Sequence, residues 1–163
     1  MQRLTSSGGA FTPQDISLIN NNFSLAGLTT QGNVFWVKPK NGYDGNDGKS
    51  PEFALKTLAT ALGKCVAGQN DIVLMCAESN TASNTTDYQS ANLAWNKDMV
   101  HLIGINSGGP IGQRSRVAPL STATTFPNLF TVSANGCMIQ NIEFFQGATA
   151  TNPTAASTCV TVS

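Results

Sequence analysis

Short apolar runs separated by polar turns make up most of this chain. Residues 71–76 read Asp-Ile-Val-Leu-Met-Cys, and residues 99–105 read Met-Val-His-Leu-Ile-Gly-Ile. A continuous apolar run of this length with β-branched residues predicts a strand that is covered on both faces. Further short runs lie around Trp36 and at residues 116–120, 129–133, 137–145 and 159–163. The pattern therefore predicts an all-β protein, with a long polar loop at residues 78–90.

Residues 51–67 break this pattern with a helical period. One stripe carries Leu55, Leu58, Leu62 and Cys65. A spacing of three or four residues places these side chains on one helix face, which has to cover an apolar surface. Ser50 and Pro51 suit the helix start, because Ser caps free amides and Pro needs no amide partner. Gly68 suits its end. We therefore predict a single capping helix.

The glycine-rich turn before this helix carries three acidic or amide side chains, Asp44, Asn46 and Asp47. A calcium loop of the EF-hand type needs an acid at its fifth position and a Glu at its twelfth, where Gly48 and Leu55 stand. Asn-Gly and Asp-Gly pairs are typical of tight turns, since these residues tolerate positive φ. We therefore predict a turn without a metal ion.

These features together resemble a known family. The strand with Trp36, the turn Asn-Gly-Tyr-Asp-Gly-Asn-Asp-Gly, Ser-Pro and the helix Ala-Leu-Lys-Thr-Leu-Ala-Thr-Ala-Leu resemble the N-terminal cap of pectin-lyase-like parallel β-helix proteins, especially those mounted on bacteriophage particles. The resemblance covers residues 34–147. It implies a right-handed single-stranded parallel β-helix, whose coils of roughly 20 to 40 residues stack to bury their inward faces.

The resemblance also implies a domain organisation. Residues 1–33 are expected to be a virion-attachment segment and linker, residues 34–68 the cap, and residues 69–163 coils that continue beyond residue 163. In the last coils, Ile139 and Ile142 are expected to flank a bend with an inward Asn141.

A short amphipathic helix is predicted within the N-terminal segment. Thr12 and Pro13 suit its start. Its apolar face consists of Phe11, Ile16, Ile19 and Phe23. Two alternatives are open for this face: it docks on another virion subunit, or it folds back on its own chain.

Composition excludes several function classes. Nine basic residues balance nine acidic ones, so no net electric field attracts nucleic acid or an anionic membrane. No apolar run is long enough to span a bilayer.

The four cysteines lack metal-ligand spacing and are expected to be buried free thiols. His101 is expected to be a strand histidine whose ring nitrogens have hydrogen-bond partners. We predict no cofactor and no metal.

Carbohydrate cleavage is the enzymatic alternative that the resemblance raises. A glycosidase needs two carboxyl groups roughly 5 to 10 Å apart, yet the acids are scattered, and only stacked coils could join Asp98 to Glu143. No catalytic residue is predicted. The resemblance implies instead a non-enzymatic phage spike, fibre or capsid-decorating protein, assembled in the host cytoplasm as a homotrimer, which contacts other virion proteins and host surface polysaccharide. The alternative is the N-terminal part of a polysaccharide-degrading tailspike, with catalytic coils beyond residue 163.

Overall fold

The computed structural model describes residues 32–77, 86–105, 115–120, 126–145 and 156–163, and these residues are mostly β with one helix. The helix, α1, covers Leu58–Lys64. The strands are β1 (Val34–Val37), β2 (Ile72–Cys76), β3 (Thr86–Gln89), β4 (Leu93–Trp95), β5 (His101–Ile105), β6 (Ser115–Pro119), β7 (Phe126–Val132), β8 (Ile139–Gln140), β9 (Ile142–Phe144) and β10 (Ala156–Val162). The predicted N-terminal helix lies outside the described residues.

All pairs of neighbouring strands are parallel, and they form three sheets. The strand orders are β1-β2-β5-β8, β3-β6-β9 and β4-β7-β10. From β2 onwards, each strand lies in a different sheet from the strand before it, and every third strand returns to the same sheet. The chain therefore visits the three sheets in a fixed cyclic order, and each return adds one strand beside the previous one.

The strand register aligns side chains into ladders that run across the first sheet. Phe35 pairs with Val73, Val73 with Leu102, and Leu102 with Ile139. All four belong to, or are packed against, the main hydrophobic core. Because side chains alternate between the two faces of a strand, this register directs one apolar position of every strand in the sheet to the same interior.

Aromatic side chains join the other two sheets inside the core. The Trp95 and Phe130 rings are stacked, with centroids 5.8 Å apart, and the Phe144 ring lies 4.8 Å from that of Phe130. The Trp95 indole N–H donates to the Val100 carbonyl at 2.9 Å, so this fully buried ring leaves no polar atom unpaired. The core is thus continuous across the three sheets.

The helix contributes Leu58, Ala61 and Leu62 to the same core. Its last turn is held by Lys97, which follows β4. The Lys97 ammonium donates to the carbonyl oxygens of Leu62, Gly63 and Cys65 at 2.7, 3.0 and 2.7 Å. A cation at this end satisfies free carbonyls and opposes the negative end of the helix dipole.

The helix is shorter than the sequence pattern predicts, and the prediction that Ser50 caps it was wrong. The N-cap is Thr57, whose hydroxyl accepts from the Thr60 amide. The residues before Thr57 pair with β1 instead. Leu55 forms a parallel bridge with Val37, in which the Leu55 amide donates to the Trp36 carbonyl and the Leu55 carbonyl accepts from the Lys38 amide. This extended pairing prevents a helix from starting at Pro51.

Two strands lie where the sequence pattern predicted none. β3 falls inside the predicted polar loop, and β4 was missed because it is only three residues long. Backbone pairing with β6 and β7 defines these two strands. The predicted run at residues 137–145 is divided into β8 and β9 at Asn141, which has a φ of 55°. The bend is confirmed, but Asn141 is exposed rather than inward.

The closing role of α1 predicts a contrast between two neighbouring positions. Leu58 is fully buried and Ala59 is exposed. We expect Leu58→Asp to destabilise the fold by several kcal/mol, because it buries an unpaired carboxylate. Ala59→Asp is expected to stay within about 0.5 kcal/mol, since it is a surface change near the positive end of the helix. Urea unfolding of both variants measures the difference, and equal stability would show that α1 does not cover the core.

Candidate functional site

A cleft of about 380 Å³ lies between the turn that precedes α1 and the edge strand β3. Its lining consists of Pro39, Lys40, Lys56, Thr57, Thr86, Asp87 and Tyr88. These residues come from three separate segments of the sequence, 39–40, 56–57 and 86–88. The cleft exists because β3 is the first strand of its sheet and lies next to the start of the helix.

Asp87 is the most unusual residue of this cleft. It pairs in register with Val117, which pairs with Phe144, and both of these partners face the core. Asp87 therefore faces inward from β3, at the position where the next two strands of the same sheet, β6 and β9, have apolar side chains. It is only 4% exposed, and its carboxylate accepts a hydrogen bond from the Leu58 amide at 2.9 Å. The carboxylate therefore satisfies an amide at the start of α1 that has no partner within the helix.

The surroundings of Asp87 alter its acidity. Burial raises the pKa of this carboxyl from its ordinary 3.8 to about 6, although the hydrogen bonds from Leu58 and Gln89 act in the opposite direction, and the negative charge of Asp44 adds to the rise. A carboxyl group with such a pKa changes protonation close to neutral pH. It is the group in the cleft whose charge responds to mild acidity.

Asp44 holds the turn against the helix start. Its Oδ1 accepts from the Lys56 and Thr57 amides, both at 2.9 Å, and its Oδ2 accepts from the Thr57 hydroxyl at 3.0 Å. Both carboxylate oxygens are therefore used by the local backbone and by the N-cap side chain. These hydrogen bonds position the side of the cleft that carries Lys40 and Lys56.

The other polar residues of the turn are also engaged in local hydrogen bonds. The Asn46 side-chain amide donates to the Ala54 carbonyl at 2.9 Å, and Asp47 Oδ1 accepts from the Lys49 amide at 2.9 Å. These bonds are those of the predicted tight turn. Within the described part of the chain, no group of three or more His, Cys, Asp or Glu side chains could hold a metal ion.

The mouth of the cleft offers groups suited to binding. Lys40 and Lys56 are exposed, and Tyr88 is 44% exposed. An ammonium group can neutralise an anionic substituent, and an aromatic face offers apolar contact area with a hydroxyl at its edge. Asp87 supplies the one carboxylate among the described lining residues. The arrangement can therefore recognise an anionic ligand, but it lacks the pair of carboxyl groups that glycoside hydrolysis requires.

The remaining candidate acids are occupied elsewhere. Asp98 accepts from the Asn135 amide at 2.7 Å, and Glu143 pairs with Arg116 at 2.9 Å. Asp98 and Glu143 therefore have different partners, which gives no support to a catalytic pair formed by these two carboxylates. Asp71 is fully buried and accepts from the Asn33 amide at 2.6 Å and the Val66 amide at 2.7 Å. Each of these carboxylates has a structural partner.

His101 has a partner for each ring nitrogen, as expected from its strand position. Its Nδ1 accepts from the Met138 amide at 3.1 Å, so Nε2 carries the proton and faces Asn70 Oδ1 at 3.3 Å. Burial lowers the pKa of this imidazole, which favours the neutral ring. The prediction of a satisfied histidine is confirmed.

None of the four cysteines, all of which lie in the described part of the chain, forms a disulfide bond. Only Cys65 is fully buried, and burial raises its pKa to about 12. The other three thiols, Cys76, Cys137 and Cys159, are half-buried, so the prediction of four buried thiols was right for Cys65 alone.

The residues predicted from the helical stripe lie together in the core. Leu55, Leu58, Leu62 and Cys65 are all buried, although only Leu58 and Leu62 are inside α1. The predicted docking residues Phe11, Ile16, Ile19 and Phe23 lie outside the described part of the chain. The role of Asp87 was not predicted from the sequence, because β3 has no buried apolar residue whose spacing would indicate which side chains face inward.

Comparisons of the chain with protein families, with characterised proteins and with solved structures found no match. Among the described residues, no helix has the length and apolar character needed to cross a bilayer.

The acidity of Asp87 predicts a specific pH dependence. Because its pKa is raised in the folded protein, the unfolded chain loses this proton first as the pH rises. The contribution of Asp87 to stability is thus fully present below about pH 4 and is lost as the pH rises through about 6, a change of roughly 3 kcal/mol. We expect the stability of Asp87→Asn relative to the unsubstituted protein to increase between pH 4 and pH 7.5. Urea unfolding at both pH values measures this, and a pH-independent difference would contradict it.

Proposed function

We propose that residues 34–163 form a right-handed parallel β-helix. Three parallel sheets visited in a fixed cyclic order, with one apolar ladder from each sheet facing the core, support this architecture. The right-handed sense is favoured because connections between parallel strands are almost always right-handed. Helix α1 then closes one end of the solenoid, as in the family that residues 34–68 resemble.

The function we propose is that of a structural, non-enzymatic bacteriophage virion protein, a spike, fibre or capsid decoration. The observation that carries this proposal is the combination of cyclic parallel sheets with a helix over one end of the core, which agrees with the resemblance of the cap to phage-mounted β-helices. The structural use of Asp44, Asp71, Asp98 and Glu143 agrees with a role that needs no catalysis. The proposed assembly is a homotrimer attached through residues 1–33 to other virion proteins.

Attachment through the N-terminal segment can be tested on particles. Residues 1–10 and 27–32 have too little apolar content to form a core of their own. We expect a chain that lacks residues 2–32 to fold but to be lost from purified virions when it complements a deletion phage. An immunoblot of gradient-purified particles measures incorporation, with the complete chain as control. Absence of the complete chain from particles would overturn the virion proposal, whereas normal incorporation of the shortened chain would overturn only the attachment segment.

A second function, binding of an acidic surface glycan, is favoured by the cleft beside β3. Lys40 and Lys56 can contact sugar carboxylates while Tyr88 contacts a pyranose ring, and host-surface attachment is one of the roles of phage spikes that the resemblance implies. A depolymerase that acts as a glycoside hydrolase would need a second carboxyl group in this cleft, which the described lining does not contain.

The glycan proposal predicts a loss of binding on removal of the two ammonium groups. We expect Lys40→Ala/Lys56→Ala to weaken binding to a uronic-acid polysaccharide, because an anionic ligand loses both cations. Lys64→Ala is the matched control, since Lys64 is also exposed but lies in the last turn of α1, outside the cleft lining. Affinity electrophoresis in gels that contain the polysaccharide measures the effect, and equal retardation of both variants would contradict the proposal.

A further inference from the structure

Two aromatic side chains lie in one row on the outer face of the sheet β3-β6-β9. Val117 and Phe144 point to the core from β6 and β9, so the residue that follows each of them faces outwards. Tyr88 pairs in register with Ala118. The Phe145 amide donates to the Val117 carbonyl at 2.9 Å, so the ladder continues and Phe145 lies beside Ala118. We call Tyr88, Ala118 and Phe145 the aromatic row.

Both aromatic side chains of this row are open to solvent. Tyr88 is 44% exposed and Phe145 is 46% exposed. Their backbones are two strand spacings apart, about 10 Å, and the small side chain of Ala118 occupies the position between them. The outer face of this sheet therefore presents an accessible ring on each of its two edge strands.

Neighbouring charges hold the Phe145 ring in position. The Arg116 guanidinium lies 5.0 Å from the centre of this ring, and Arg116 Nε donates to the Glu143 carboxylate at 2.9 Å. Cation–π contact and the ion pair both restrain the arginine beneath the ring. A side chain that is already restrained loses little conformational freedom when a ligand binds. Phe145 is thus preorganised for contact, although it is exposed.

The aromatic row begins at the cleft beside β3. Tyr88 belongs to the cleft lining, and the exposed Lys40 and Lys56 lie at the same mouth. One surface therefore runs from two ammonium groups across Tyr88 to Phe145. A ligand that matches it carries negative charge and presents flat apolar faces along its length. A chain of uronic acid residues has both properties, since each pyranose ring has C–H faces and a carboxylate.

The charges around the row favour a linear glycan over a second copy of this chain. A stable protein–protein interface buries about 800 Å² on each partner, and its core is depleted of charged residues, of lysine and glutamate in particular. Lys40 and Lys56 lie at one end of the row. The Arg116–Glu143 ion pair lies beside its other end. The row is therefore too narrow and too charged to form the core of such an interface.

We propose that the aromatic row extends the cleft into a groove that binds successive sugar residues of an acidic glycan, from Tyr88 at the charged end to Phe145 at the far end. This inference rests on the proposed glycan binding. It adds a contact outside the cleft lining, which a ligand reaches only if it is longer than the cleft. Phe145 therefore makes the affinity depend on the length of the glycan.

Phe145→Ala tests the groove in the complete chain. We expect this variant to bind sodium alginate roughly three- to tenfold more weakly in affinity electrophoresis, because one aromatic contact is lost. In titrations with alginate oligosaccharides of increasing length, the gain in affinity with length should be smaller than in the unsubstituted protein. Phe145→Trp keeps an aromatic face and should retain binding. Phe53→Ala is the matched control, since Phe53 is also exposed but lies in the turn before α1, outside the row.

Thermal unfolding of each variant checks the fold, and Phe145→Leu gives the same readout if Phe145→Ala does not fold. Equal retardation of Phe145→Ala and the unsubstituted protein, with retardation lost in Lys40→Ala/Lys56→Ala, would overturn the groove and leave glycan binding in the cleft intact. An unsubstituted protein that alginate does not retard would overturn both proposals. A changed oligomeric state of Phe145→Ala in light scattering, with unchanged alginate binding, would assign the row to a contact between copies and would also overturn the groove.

Discussion

The closure of the core by helix α1 is the constraint on which the rest of the structure depends. Parallel strands direct Phe35, Val73 and Leu102 to one interior, and the buried side chains of the helix pack in the same core. Charged side chains tie the helix over the core at both of its ends. Asp87 accepts from the first helical amide, and Lys97 donates to the last carbonyls. Each charge has the sign that the helix dipole favours at its end.

This closure explains why a polar residue occupies an inward position of β3. A core-facing aspartate is unfavourable by itself, as its raised pKa indicates. It is tolerated because the helix start offers an amide that would otherwise lack a partner. The cleft beside β3 follows from the same junction, since Asp44 fixes the turn that carries the exposed lysines. The residues that hold helix α1 in place therefore also shape the cleft.

The sequence predicts those elements in which buried apolar residues recur at a regular spacing. The buried runs of β2 and β5 and the stripe of Leu58 and Leu62 could be predicted, because apolar spacing reports which side chains face the core. The sequence does not predict the elements whose conformation is decided by pairing with a distant strand. Leu55 forms a bridge with Val37, which shortens the helix, and β3 pairs with β6 although β3 has no buried apolar residue. The cleft was not predictable, since it joins segments whose proximity depends on this pairing.

The parallel ladder across the first sheet is the feature that most directly tests this account. Backbone NOEs between Val73 and Leu102, and between Leu102 and Ile139, report the register and direction of β2, β5 and β8 in solution. We expect one continuous parallel ladder with these residues side by side. An antiparallel NOE pattern, or pairing of these strands in another register, would contradict it.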